Sequence, residues 1–200
     1  MTARLLLAWA GSYLLGSLPT GYLLVRGLTR ADIRRAGSGN IGATNVTRVI
    51  GARGGLLVLL VDILKGVLAV GWIAPWLLPN ASDAIRLGCG LAAVIGHVAP
   101  VWLRFRGGRG VATAIGALLG VSLTLAGLII GVWLISLACW GYVSLASILA
   151  AAALPIAQRG FGRPPEEMLL GAVLAGLLIA RHRENFARLR SGKEPRVRGL

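Results

Sequence analysis

The stretch VATAIGALLGVSLTLAGLIIGVWLISLACWGYVSLASILAAAALPIA, residues 111–157, contains no Lys, Arg, Asp or Glu. A helix crosses the hydrocarbon core of a bilayer in about 20 residues, so this run is too long for two perpendicular spans and predicts three short ones. We expect the chain to turn at Gly127 and at the cluster Trp140-Gly141-Tyr142, because glycine permits a tight reversal and Trp and Tyr favour the membrane interface.

Four further apolar runs flank this stretch, at residues 5–25, 55–78, 84–103 and 167–180. With 56% hydrophobic residues and a mean hydropathy of +0.76, the chain lies outside the range of soluble domains. The sequence predicts an all-α polytopic membrane protein, a single integral membrane domain over residues 1–200, with seven transmembrane helices. Five helices are the alternative. The first run lacks a small-residue cleavage site and a strongly basic start, which predicts a retained helix.

The basic residues predict the orientation in the membrane. The net charge is +14, and most Lys and Arg residues lie in three short segments, 26–54, 104–110 and 181–200. Because loops rich in Lys and Arg stay in the cytoplasm, we expect the N-terminus outside and the C-terminus in the cytoplasm. Charges confined between apolar runs argue against a nucleic-acid partner. Cys89 and Cys139 lie within apolar runs, which predicts small buried side chains and no metal site.

The first basic segment contains a glycine-rich loop, Gly37-Ser38-Gly39-Asn40-Ile41-Gly42. No βαβ unit surrounds it, which excludes a dinucleotide fingerprint, and Ala43-Thr44 stands where a phosphate loop requires Lys-Ser/Thr. The loop still has the property that both motifs share, because its glycines allow backbone N–H groups to converge on an oxyanion. The groups predicted to bind an anion here are the Gly42 backbone, the side chains of Ser38, Asn40, Thr44 and Asn45, and the guanidinium of Arg48.

The other two basic segments contain further candidates. Gly107-Gly108-Arg109-Gly110 leads directly into an apolar helix, whose N-terminus would favour a second phosphate. His97 is either a base or, as we favour, a residue that holds this loop by hydrogen bonds. His182 and Asn185 share a face if the last helix continues past the membrane. Asp62 and Lys65 form an ion pair within an apolar run, which is either structural or a substrate contact.

Taken in order, these motifs resemble the acyl-phosphate-dependent glycerol-3-phosphate acyltransferase family. The resemblance covers nearly the whole chain and rests on Ser38-Gly-Asn-x-Gly-Ala-Thr-Asn-x-x-Arg48, Asp62-x-x-Lys65-Gly66, Gly96-His-x-x-Pro100, Gly107-Gly-x-Gly-Val-Ala-Thr113, Gly141-Tyr-x-Ser-Leu-Ala-Ser147 and His182-Arg-x-Asn-x-x-Arg-Leu-x-x-Gly-x-Glu194. It implies seven helices in the bacterial cytoplasmic (inner) membrane. It also implies acyl phosphate and glycerol 3-phosphate as substrates, lysophosphatidic acid and phosphate as products, and no metal or nucleotide cofactor. Arg109 departs from the lysine that is usual in the family.

The resemblance implies functional roles for a set of residues at the cytoplasmic face, namely Ser38, Asn40, Arg48, Gly107, Gly108, Gly110, His182, Asn185 and, mainly structurally, Glu194. We expect Ser38, Asn40 and neighbouring loop amides to hold the acyl phosphate, with Ser144 or Ser147 as helpers. The residues expected to hold glycerol 3-phosphate are Arg48, Arg109, His182 and Asn185. The catalytic candidates are Ser38, Arg48, His182 and Asn185.

Three mechanisms remain open at this stage. The favoured one lets the phosphate of the substrate accept the hydroxyl proton, so that positioning and charge stabilisation supply most of the acceleration. A His182 base is the second, and a covalent acyl-Ser38 intermediate, which lacks an evident partner base, is the third. Two different functions also remain, a membrane transporter of an organic phosphate and a non-catalytic membrane scaffold.

Overall fold

The computed structural model describes residues 2–197, and those residues form helices, turns and irregular segments without a β-strand. The last residues of the predicted segment 181–200, 198–200, lie outside the described residues. The chain divides after Val121 into two compact units. The prediction of one integral membrane domain stays a prediction.

The first unit contains seven helices in its described part. They are α1 (Thr2–Ser17), α2 (Thr20–Thr29), α3 (Ala43–Ile50), α4 (Ala52–Leu68), α5 (Ala74–Leu77), α6 (Asp83–Val98) and α7 (Val111–Val121). A π-helical turn, Ala69–Ile73, joins α4 to α5, and short 3-10 turns occur at Ile33–Arg35 and Val101–Leu103.

The predicted span 5–25 is broken in the structure. Helix α1 ends at Ser17 and α2 begins at Thr20, so that Leu18 and Pro19 separate them. Proline has no N–H and clashes with the preceding turn, which explains why the helix stops here although the sequence stays apolar.

Glycines allow helices of the first unit to pack backbone to backbone. A Cβ on Gly66 of α4 would lie 2.1 Å from Thr113 O, and one on Gly116 of α7 would lie 1.9 Å from Ile63 O. Helices α1 and α6 meet in the same way, since a Cβ on Gly16 would lie 2.0 Å from Ala93 O. Small residues at helix contacts are typical of membrane bundles, in which close packing replaces the hydrophobic effect.

The second unit contains α8 (Leu123–Trp140), α9 (Val143–Gly160), α10 (Pro165–Arg181) and α11 (Arg183–Arg190). The run 111–157 therefore forms three helices, as predicted, and Gly141 makes one of the turns with φ +73°. The other predicted turn is wrong. Gly127 lies inside α8, and the break falls at Ser122, whose hydroxyl accepts the Leu125 N–H at 3.3 Å and caps α8.

Among the described residues, four helical segments are long and apolar enough to cross a membrane, Ala52–Leu77, Asp83–Leu103, Leu123–Trp140 and Val143–Gly160, and Val111–Val121 is a shorter apolar helix. Every predicted run is helical, but the count of seven spans and the orientation stay predictions. Both cysteines are free thiols. Cys89 is buried as expected, whereas Cys139 is exposed, which corrects the prediction for that residue.

Candidate active site

Asn45 organises the glycine-rich loop before α3. Its side chain is buried, with Oδ1 accepting the Ser38 N–H at 2.8 Å and Nδ2 donating to Ala36 O at 3.0 Å and to Asn40 O at 2.8 Å. Both amide protons are therefore used inside the protein. These bonds indicate that Asn45 shapes the loop, and a contact of Asn45 with substrate stays a prediction.

Several loop amides also point inward. The N–H of Gly39 donates to Ala36 O at 3.0 Å, and that of Gly42 donates to the Asn40 side-chain oxygen at 2.9 Å. Gly37 has φ +58°, and a Cβ there would lie 2.2 Å from Asn45 Oδ1, so this position requires glycine. The Gly42 N–H thus has an acceptor within the loop, and binding of an anion by this amide stays a prediction.

The groups of this loop that face outward lie at the N-terminus of α3. The first-turn amides of Ala43 and Thr44 have no acceptor within the helix. Ser38 and Thr44 are exposed, and so is Arg48, which lies one turn beyond Thr44 on the same face of α3. Within residues 2–197 Arg48 makes no ion pair. The Thr44 hydroxyl and the Arg48 guanidinium thus share one face of α3 near its first-turn amides, as binding of a phosphate requires.

The carboxylate nearest to this loop in sequence is not a base. Asp32 accepts hydrogen bonds from the backbone N–H of Arg34 at 3.0 Å and from its guanidinium at 2.6 Å. The guanidinium bond, more than any other contact, lowers the pKa of Asp32 to about 2. Asp32 is consequently ionised at neutral pH and too weakly basic to take a proton from an alcohol.

The second glycine-rich loop is fixed to the end of α6. Gly107 N–H donates to Val98 O at 3.1 Å and Gly108 N–H donates to His97 O at 3.0 Å. Gly110 has φ +84° and precedes α7, in which the first helical bond runs from Ala114 N–H to Gly110 O at 2.8 Å. The three amides at the start of α7 therefore have no acceptor within the helix, and the half-buried Arg109 stands beside them.

In the second unit, His182 separates α10 from α11. The expected continuous helix is wrong, since α10 ends at Arg181 and His182 has φ −99° and ψ 10°. The imidazole is buried, and its Nδ1 lies 2.8 Å from Leu178 O. Because a carbonyl only accepts, Nδ1 carries a proton, and Nε2 is the nitrogen at which a neutral His182 would take another.

Glu194 holds the C-terminal segment to α11. Its carboxylate accepts Asn185 Nδ2 at 2.6 Å and Arg188 Nε at 2.7 Å. Burial raises the pKa of Glu194, but the neighbouring Ser144 hydroxyl and the hydrogen bonds from Asn185 and Arg188 outweigh burial, and the net effect lowers this pKa. Asn185 Oδ1 is buried and has no hydrogen-bond partner within the described residues. Arg188 belongs to the motif from His182 to Glu194, but residue type alone predicts no role for it, because an arginine near a membrane surface has many possible partners.

The two serines proposed as helpers differ in their surroundings. Ser147 hydroxyl donates to Val143 O at 2.7 Å and accepts from Trp133 Nε1 at 3.1 Å, so it joins α8 to α9. Ser144 lies by contrast at the Glu194 cluster. Of the two, Ser144 is therefore the better candidate for a contact with substrate.

Known proteins are similar to this chain along almost its whole length. The family model described as Glycerol-3-phosphate acyltransferase matches residues 6–192. Proteins of that name from Gloeobacter violaceus and Geotalea daltonii are 47% and 45% identical, over 94% and 97% of this chain and 93% and 97% of theirs.

Two solved structures are similar as well. A crystal structure of PlsY (YgiH), an integral membrane glycerol 3-phosphate acyltransferase, in its glycerol 3-phosphate form has a TM-score of 0.90 at 40% identity and covers 96% of this chain and 95% of that one. The lysophosphatidic acid form has a TM-score of 0.86 at 39% identity, with coverage of 96% and 94%.

Proposed function

Since the chain belongs to the glycerol-3-phosphate acyltransferase family, we propose that it takes the acyl group from an acyl phosphate and transfers it to the 1-hydroxyl of glycerol 3-phosphate. Acylation of glycerol 3-phosphate to lysophosphatidic acid follows from the family. The donor, the residues that bind each substrate and the membrane side are the proposed part.

One observation supports acyl phosphate as the acyl donor. Two helices of the first unit, those that begin at Ala43 and at Val111, each follow a glycine-rich loop and have an arginine nearby, Arg48 or Arg109. Each is suited to one phosphate. A reaction between acyl phosphate and glycerol 3-phosphate brings two phosphates close to the reacting acyl carbon, whereas the phosphates of a thioester such as acyl-CoA lie far from that carbon.

The donors at the first loop suit the acyl phosphate. Ser38, Asn40 and the first-turn amides of α3 would bind the phosphate, and the acyl chain would extend into lipid or between helices. In the first unit, Arg48 and Arg109, with the amides at Val111, would hold glycerol 3-phosphate. The roles proposed for the second unit rest on the family resemblance alone: Ser144 as helper for the acyl phosphate, and His182 and Asn185 as contacts of the glycerol hydroxyl groups.

The proposed reaction is a direct transfer. The 1-hydroxyl oxygen attacks the acyl carbon, the bond from that carbon to the phosphate oxygen breaks, and the departing phosphate accepts the hydroxyl proton. Asp32 and Glu194 are both ionised and hydrogen-bonded to arginines, which disfavours them as bases. Positioning and arginine charge would then supply most of the rate acceleration.

The same family membership supports a place in the bacterial inner membrane, with the three basic segments on its cytoplasmic face. The concentration of Lys and Arg in residues 26–54, 104–110 and 181–200 supports this orientation, which places the C-terminus in the cytoplasm. No metal or organic cofactor is part of the proposal.

Phosphate release by the purified protein in detergent tests the donor. We expect release that requires both palmitoyl phosphate and glycerol 3-phosphate and that yields lysophosphatidic acid in equal amount. Acyl-CoA and acyl-carrier-protein thioesters serve as matched donors without a phosphoryl leaving group. Turnover with a thioester alone would overturn the donor while leaving the acceptor intact.

A further inference from the structure

A buried charged network lies in the first unit and has no part in the mechanism above. Asp62 and Lys65 are each 2% exposed and His97 is 6% exposed. Lys65 Nζ donates to Asp62 Oδ1 at 2.7 Å, and His97 Nδ1 lies 3.7 Å from the same oxygen. Charges inside a membrane-spanning helix are costly, so a network of this kind is expected to serve a purpose.

The network is fixed at its other end as well. Lys65 Nζ also donates to Leu18 O at 2.5 Å, in the break between α1 and α2. Lys65 therefore ties the Asp62 carboxylate to the break between α1 and α2, and the buried imidazole of His97 lies at ion-pair distance from that carboxylate.

The imidazole of His97 packs against the second glycine-rich loop. A Cβ on Gly108 would lie 2.2 Å from His97 Nε2, 3.0 Å from Cδ2 and 3.2 Å from Cε1. A Cβ on Gly107 would instead meet His97 O at 2.1 Å and Pro100 Cδ at 2.4 Å. Two adjacent glycines thus pack against different parts of the same turn, one against a side chain and one mainly against backbone.

We propose that Asp62 and Lys65 lock His97 in place, and that His97 is a positioning residue which sets the Gly107–Gly110 loop for the phosphate of glycerol 3-phosphate. The nature of that substrate rests on the proposed function. His97 touches no reacting atom. It acts by fixing where the amides at the start of α7 point.

A double-mutant cycle tests this arrangement, with binding of glycerol 3-phosphate measured by titration calorimetry and KM and kcat measured with acyl phosphate. Gly108→Ala should weaken glycerol 3-phosphate binding and raise its KM about tenfold or more, because the new methyl group collides with a locked ring. The KM for acyl phosphate should change less. In a His97→Ala background, Gly108→Ala should add little, because the ring is gone.

Gly107→Ala is the matched control. Its methyl group would meet backbone atoms, so its effect should multiply with that of His97→Ala instead of vanishing. Multiplicative effects for Gly108 as well would overturn the proposal. So would a fall in melting temperature for His97→Ala without any change in glycerol 3-phosphate affinity, since that would show a purely structural role.

A second route covers the case in which His97→Ala does not fold. The paired change Asp62→Asn with Lys65→Met removes both charges together and so avoids a single buried unpaired ion. It should free the ring and reduce the penalty of Gly108→Ala, and an undiminished penalty would contradict the proposal. The calorimetric readout needs no acyl donor. A failed donor assignment and a failed positioning role therefore give different results.

Discussion

Asn45 shows how one buried side chain can determine the form of a glycine-rich loop. It satisfies two carbonyls and one amide of the segment 36–40. A buried group left without its partner costs about 1–3 kcal/mol, and here three groups depend on one residue.

Replacement of Asn45 by Asp keeps the size and removes both donated protons. We expect Asn45→Asp to lower kcat/KM about 100-fold or more, because two carbonyls would then face a carboxylate. Initial rates with both substrates varied will measure this. Asn80→Asp, at an exposed asparagine, is the matched control and should retain activity. Equal activity of the two variants would contradict the role of Asn45.

His182→Gln distinguishes the two proposed bases. If the phosphate of the substrate takes the proton, the variant should bind glycerol 3-phosphate less tightly and keep the shape of the pH–rate profile. A general base contributes about 100-fold to 10,000-fold, so loss of one should lower kcat by that amount and remove a limb of the profile. The profile of kcat against pH, measured for both proteins, will separate these outcomes.

The hydrogen bonds of Glu194 with Asn185 and Arg188 hold the C-terminal segment to α11, and their strength depends on pH. Hydrogen bonds keep the pKa of Glu194 below its usual value, so the contact is complete above that value and is lost as pH falls through the lowered pKa. We expect Arg188 and Asn185 to release the segment in acid. Protease cleavage after Lys193, followed across pH 3 to pH 7 with an acid-stable enzyme, should rise at the acid end, while Glu194→Gln should show rapid cleavage throughout.

Helices α4 and α7 pack so closely that even a methyl group should separate them. Gly66→Ala would place Cβ 2.1 Å from a backbone oxygen of α7 that cannot move independently. We expect a lower melting temperature in detergent, corresponding to about 1–3 kcal/mol of overpacking. Gly71→Ala lies in the same span with no atom within 4 Å and is the control. A similar melting temperature for both would contradict close packing.

Elements were predicted better than their ends. Hydropathy identified every apolar run because the bilayer imposes a minimum length, but it does not distinguish a proline that kinks a helix from one that ends it, as Pro19 does. At the other break, between α7 and α8, serine is a residue type that favours a helix N-cap, and Ser122 caps α8. The sequence-based prediction placed the turn at Gly127 instead, because glycine is flexible. The glycines and arginines of the candidate site could be predicted from residue type. The hydrogen bonds of the Gly39 and Gly42 amides within the loop could not, because the direction of a backbone N–H depends on the fold.

The molecule as a whole carries a charge of +14, which is concentrated in three segments. If these face the cytoplasm, a cysteine at Ser191 should react with an impermeant thiol reagent only in inverted vesicles. A cysteine at Asn80 should react in intact spheroplasts, in a background where Cys89 and Cys139 are replaced. Labelling of both positions from one side would contradict the predicted orientation.

The interruption of the first apolar run between α1 and α2 has a consequence for which substitutions can occur together. In an unbroken helix, Leu18 O would accept from the amide four residues later, but here it accepts from the Thr20 N–H at 3.0 Å and from the Lys65 ammonium. Pro19 and Lys65 thus depend on each other although they lie far apart in the chain. Lys65→Met should therefore cost less stability in a Pro19→Ala background than in the native protein, although Asp62 loses its ion-pair partner in both.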